Sequence, residues 1–191
     1  MDLNINRYKA DMVLFTVFIA VSLYTIFNAY IFDVKISPDS TYYLGAAQSL
    51  LDGNGFYILS KAGNTSVYFA TWPIGYPFLI AVVAFITKTT NLYFASKILS
   101  IGLIGLILIM FRIRFGIKAV FISLLLLTPA FLSIFSYTWS EQVFIFASIW
   151  FSFALYDVIS VKNPKWYHYL LLMISSLAIF FSRYVGPIQY V

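Results

Sequence analysis

Four short stretches of this sequence hold the residues that could do chemistry. The first is Ser37-Pro38-Asp39-Ser40-Thr41-Tyr42-Tyr43, followed by Ala46-Ala47, Leu50-Leu51 and Gly53-Asn54-Gly55. A carboxylate such as Asp39 can take the proton of a hydroxyl that attacks an electrophilic carbon, which is general-base work. It is equally a favourable charge at a helix N-terminus. The second stretch is Thr71-Trp72-Pro73-Ile74-Gly75-Tyr76-Pro77, in which two prolines and a glycine fix a bent start to the next apolar segment. Trp72 and Tyr76 suit a membrane–water boundary. The third, Tyr137-Thr138-Trp139-Ser140-Glu141, supplies a second acid. Thr138 and Glu141 also have capping-box spacing, so Glu141 could serve helix capping alone. The fourth is Ser182-Arg183-Tyr184-Val185-Gly186-Pro187, which sets Arg183 inside an apolar segment. A guanidinium there could bind phosphate or carboxylate in bidentate fashion, or snorkel to the interface.

These residues need elements to position them. Ser37 is a natural N-cap with Pro38 at the first helical position, and Gly53 or Gly55 can stop the helix. A helix over 38–51 would carry Asp39, Tyr42, Tyr43, Ala46 and Leu50 on one face. Around it, 62% of the 191 residues are hydrophobic and only 10% charged. Soluble domains are roughly 45–50% apolar and about 25% charged. Apolar segments at 12–32, 73–88, 92–111, 117–136, 142–160 and 167–191 approach the ~20 residues needed to cross a bilayer. In lipid such segments satisfy their backbone groups as helices. The expected architecture is therefore all-α: a single polytopic transmembrane domain over 1–191, about five or six hydrophobic helices, and a short juxtamembrane helix in a polar 33–71 loop. The apolar stretch at 12–32 is long and has no small-residue cleavage site, so it reads as a retained anchor.

Arg7 and Lys9 place the N-terminus in the cytoplasm and the 33–71 loop outside. Arg112, Arg114 and Lys118 also want the cytoplasm, as do Lys162 and Lys165. If both 73–88 and 92–111 cross, the Arg112 cluster falls outside. The preferred solution is that 73–88, which is short and begins with Pro73, Gly75 and Pro77, is re-entrant or interfacial. Six crossings with a weakly obeyed charge rule are the alternative. On the preferred topology Asp39, Glu141 and Arg183 share the extracytoplasmic side. The expected location is the cell (inner) membrane.

With no cysteine, disulfides and thiolate chemistry are excluded. The net charge of +5 sits in short clusters between apolar segments, which argues topology rather than nucleic acid. The lone His168 is expected at a helix start beside Trp166 and Tyr167. Asn64-Thr65-Ser66 fits an N-glycosylation acceptor, which matters only in a eukaryotic secretory pathway.

Taken in order, the four stretches resemble the C-type (GT-C) glycosyltransferases, among them protein O-mannosyltransferases and the aminoarabinose transferase of lipid A. The shared pattern covers about 150 residues here: Asp39 with Tyr42 and Tyr43, then Trp72 to Pro77, then Ser140-Glu141, then Arg183-Tyr184-Val185-Gly186. The resemblance implies a polyprenyl-phosphate sugar donor, an acceptor on the outer face, and inversion at the sugar. It implies that Asp39 is the general base and that Glu141 orients the acceptor or helps to hold a divalent metal. Tyr42, Tyr43 and Arg183 would bind substrate, Arg183 at the donor phosphate. No metal ligand is assigned, and a divalent cofactor is left open. Membrane lipids are the other expected partners. Members of the family are usually several hundred residues long, so this chain resembles an N-terminal portion, ending at Val191 within an apolar segment. A small transporter or flippase-like subunit and an inactive gene remnant are the competing readings. Against transport, 92–111 and 117–136 read as almost purely apolar.

Overall fold

The computed structural model describes residues 7–31, 36–59, 65–69 and 72–183. Asp33, Lys61, Asn64, Thr71 and the Tyr184-Val185-Gly186-Pro187 run lie outside them. The described chain is almost wholly helical: α1 (Arg7–Ile31), α2 (Pro38–Leu51), α3 (Gly75–Thr87), α4 (Leu92–Phe115), α5 (Ala119–Ser123), α6 (Pro129–Ser136), α7 (Glu141–Ser160) and α8 (Trp166–Ser182). A two-stranded antiparallel hairpin, β1 (Tyr57–Leu59) with β2 (Ser66–Tyr68), is a small departure from the all-helical expectation.

Apolar residues cover both the inner and the outer faces of the helices. On α1 the buried stripe Ala10, Leu14, Val17, Val21 follows helical spacing, yet Phe15, Ile19, Leu23 and Phe27 on the far side are exposed. Such all-round apolarity fits a helix between protein and lipid. Three helical runs are long and apolar enough to cross a bilayer: Arg7–Tyr30, Leu92–Leu127 and Glu141–Ser160. The apolar helices Gly75–Thr87 and Trp166–Ser182 are shorter.

The helices run between two ends of one bundle. Asp11 near the start of α1 pairs with Arg112 near the end of α4, while Tyr93 Oη at the start of α4 donates to the Ala29 carbonyl. These contacts make α1 and α4 antiparallel. Gly116 then turns the chain with φ 56 and ψ −127, a backbone region open mainly to glycine. Beyond it, the 3₁₀ turns Gly116–Lys118 and Leu124–Leu127, with α5 and α6, carry the chain back along α1 to Ser136 beside Lys97. The expected helix at 117–136 is thus real as a path but broken, with Pro129 opening its last piece. At the far end of α7, Asp157 pairs with Arg114. At the far end of α8, Arg183 approaches Glu141.

Helix α3 departs from this alternation. Tyr76 near its start bonds Gln142 at the Ser136–Glu141 end, and α4, which follows after four residues, starts at that same end. Both termini of α3 therefore sit at one end of the bundle, alongside α2. Along this path Arg112, Arg114 and Lys118 lie at the end opposite α2 and the start of α7.

Candidate functional site

Local sequence builds α2 as its residues dictate. Ser37 caps the helix, its Oγ accepting from the Ser40 amide at 3.2 Å, while Ser40 Oγ accepts from the Ser37 amide at 3.1 Å. The buried face is Ser40, Tyr43, Ala46 and Ala47. Asp39 is exposed, while Tyr43 and Ala46, which follow it at helical spacing, are buried.

Three hydrogen bonds stitch the first turn of α2 to the segment that starts α7. Ser40 Oγ donates to the Thr138 carbonyl (3.2 Å), Tyr43 Oη to Ser140 Oγ (3.0 Å), and Trp139 Nε1 to Ser37 Oγ (2.8 Å). Sequence neighbours of Asp39 and of Glu141 are thereby in contact. Arg183 completes the set, with its Nη1 3.9 Å from Glu141 Oε1. Tyr43 feels all three charges. Burial pushes its phenol up to about 12 and the Ser140 contact opposes this; Glu141 and Asp39 raise it further, and Arg183 lowers it. At neutral pH Tyr43 is a neutral hydroxyl donor. Tyr42 stacks on Trp72 at 4.9 Å and borders a cleft of about 870 Å³ shared with Thr41, Gln48, Asp52 and Tyr57. Tyr43 meets Tyr76 edge-on at 5.2 Å.

Two sequence expectations need correction here. Thr138 and Glu141 form no capping box, because Ser140 is the N-cap of α7 and makes no side-chain cap bond. The Thr138 hydroxyl is instead within 3.0 Å of Ser96 Oγ and 3.2 Å of Lys97 Nζ. Arg183 is not inside a helix: α8 ends at Ser182, and Arg183 is an extended residue with its side chain 53% exposed. An ion pair so exposed contributes about 0–1 kcal/mol. Arg183 therefore gives up little on exchanging Glu141 for an anionic ligand.

Asp39 and Glu141 are the acids carried by the two stitched segments. Among the described residues no three His, Cys, Asp or Glu side chains gather for metal binding, and the Arg183 guanidinium already faces Glu141. The donor set among the described residues does not make a protein-built divalent site, and no step is routed through a metal. His168 lies in the first turn of α8, where its Nδ1 accepts from the Lys165 amide at 3.0 Å.

Lys97 and Gln142 escaped sequence reasoning. Lys97 is 1% exposed, donates to the Ser136 carbonyl at 2.6 Å, and lies 4.7 Å over the Tyr93 ring. The reading of 92–111 as almost purely apolar passed over it and the buried Ser96 and Ser100. The signal was present, since a cation six residues into an apolar helix deserved the weight given to Arg183. Gln142 carried none, because one glutamine beside an acid is unremarkable in sequence. It is fully buried, its Nε2 donates to Tyr76 Oη at 2.7 Å, and its Oε1 has no hydrogen-bond partner among the described residues.

Comparison of the chain with protein-family models, with curated proteins and with solved structures yields no match.

Proposed function

We propose that this chain is a polytopic membrane glycosyltransferase of the C type, or the N-terminal portion of one. In this reading it transfers a sugar from a polyprenyl-phosphate donor to an acceptor on the extracytoplasmic side. The observation that carries it is the stitching of α2 to the start of α7. Two acids and an arginine collect at the end opposite the Arg112–Lys118 cluster. We read the five end-to-end passes (α1, α4, residues 117–136, α7 and α8) as membrane crossings, with α2 and α3 lying at the outer surface.

The chemistry assigns one job to each group. Asp39, exposed and unobstructed, takes the acceptor hydroxyl proton as the acceptor oxygen attacks the anomeric carbon. The phosphate leaves from the opposite face, so the sugar inverts. Arg183 neutralises the departing phosphate. Glu141 orients the acceptor, Tyr42 lines its approach, and the buried Tyr43 holds the Ser140-Glu141 segment in place.

The test is transfer of radiolabelled sugar from polyprenyl-phosphate donors by the protein in membranes, with Asp39→Asn alongside. Transfer by the parent and near-abolition in the variant support the reading. Equal transfer by both would reject Asp39 as the base. No transfer by the well-folded full-length protein, with polyprenyl-phosphate hexose and pentose donors alike, would overturn the transferase assignment and favour the transporter or remnant reading.

A further inference from the structure

The end of the bundle opposite Asp39 holds a second set of charged groups that the transfer reaction does not use. Arg112 directs Nε and Nη2 at the two carboxylate oxygens of Asp11, and Arg114 Nη1 sits 2.6 Å from Asp157. Those two cations are matched. Arg7 and Lys118 are not: both are exposed, and among the described residues neither forms an ion pair. Yet Arg7, Arg112 and Lys118 line one cavity of about 470 Å³. One of its walls is apolar, formed by Ile113 and Phe115, of which Ile113 is 79% exposed. The cavity lies where α1, a candidate membrane-crossing run, begins, and where α4 ends at the Gly116 turn inside the apolar run Leu92–Leu127.

A cavity with surplus positive charge and an exposed apolar wall, at the depth of a membrane surface, matches one kind of ligand. The ligand is a phosphodiester anion with an acyl chain attached. A free phosphate would use the cations and ignore the wall. We propose that this cavity binds the headgroup of an anionic membrane phospholipid. The phosphodiester lies between Arg7 and Lys118, and the acyl chains run along Ile113 and Phe115. Arg112, held by Asp11, forms the floor. The inference rests on the reading that the helices lie in a membrane.

The experiment takes the full chain in its membranes and first applies alkaline carbonate. Release from the membrane overturns the membrane reading and this site with it. Retention separates the two. The purified protein in detergent is then titrated with phosphatidylglycerol, phosphatidylcholine or inorganic phosphate and examined by native mass spectrometry. One phosphatidylglycerol should be retained in preference to phosphatidylcholine, and excess inorganic phosphate should not displace it. Arg7→Gln and Lys118→Gln should each weaken retention about fivefold, the attraction of one surface cation for an anionic lipid. Lys162→Gln with Lys165→Gln, exposed cations at the α7–α8 turn, should leave retention unchanged. Equal retention of both lipids, displacement by inorganic phosphate, or full retention by the Arg7/Lys118 double variant would each overturn the site. An equal loss in the Lys162/Lys165 pair would do the same.

Discussion

At the scale of single residues, Asp39 separates two physical roles. As a helix-terminal charge it is replaceable, because Asn and Asp serve helix starts about equally, and losing the charge–dipole attraction costs less than about 1 kcal/mol. As a general base it is not, and loss of base catalysis lowers rate by on the order of 10²–10⁴. Asp39→Asn should therefore keep expression and thermal stability while sugar transfer collapses; equal losses in both would point to structure alone. Tyr43→Phe tests the stitch. It removes a buried hydroxyl from Ser140 Oγ and should cost about 1 kcal/mol, read as a lowered melting temperature in detergent. Asp39, Tyr42 and Tyr43 could be singled out from sequence because Ser37-Pro38 declares where their helix begins. The true role of Thr138 could not. Its spacing to Glu141 is right for a capping box, but its hydroxyl is engaged by α4, 42 residues away in sequence at Ser96. Local patterns do not reveal such long-range competition.

At the scale of elements, helix positions followed from apolar run length, and helix breaks did not. Segment 117–136 looks uniform in sequence but passes through 3₁₀ turns and restarts at Pro129. Close packing bears on the path of α3. A Cβ added at Gly75 would lie 2.4 Å from the Phe181 carbonyl oxygen, so α3 meets the backbone of α8 directly there. Gly75→Ala should destabilise by about 1–3 kcal/mol, the usual cost of overpacking. Gly102→Ala, where a Cβ meets nothing within 4 Å, should be neutral or stabilising by up to about 1 kcal/mol. Thermal unfolding of the two variants side by side checks this, and equal shifts would contradict the close approach. Lys97 fastens α4 to the connector before α7. Lys97→Met leaves a buried carbonyl at Ser136 short of a donor and should cost about 1–3 kcal/mol. It should also speed proteolysis between Ser136 and Glu141, and an unchanged cleavage rate would show the connector to be held by other contacts.

At the scale of the whole molecule, composition makes the membrane legible, since so few charges cannot cover a globule in water. What composition cannot give is which end faces outward. That depends on the parity of crossings, and so on α3, whose length and prolines leave both paths open in the sequence. In the structure the ends are distinct: Asp39, Glu141 and Arg183 at one, Arg7, Arg112 and Lys118 at the other. The proposed chemistry requires the first end to face away from the cytoplasm. Because the chain has no cysteine, single cysteines report sidedness without background. Cysteines at the exposed positions Gln48, Lys118 and Asn163 can be treated in intact cells with a membrane-impermeant thiol reagent. The account predicts labelling at 48, and at 118 and 163 only after the membrane is permeabilised. Labelling at 118 in intact cells with protection at 48 would contradict it.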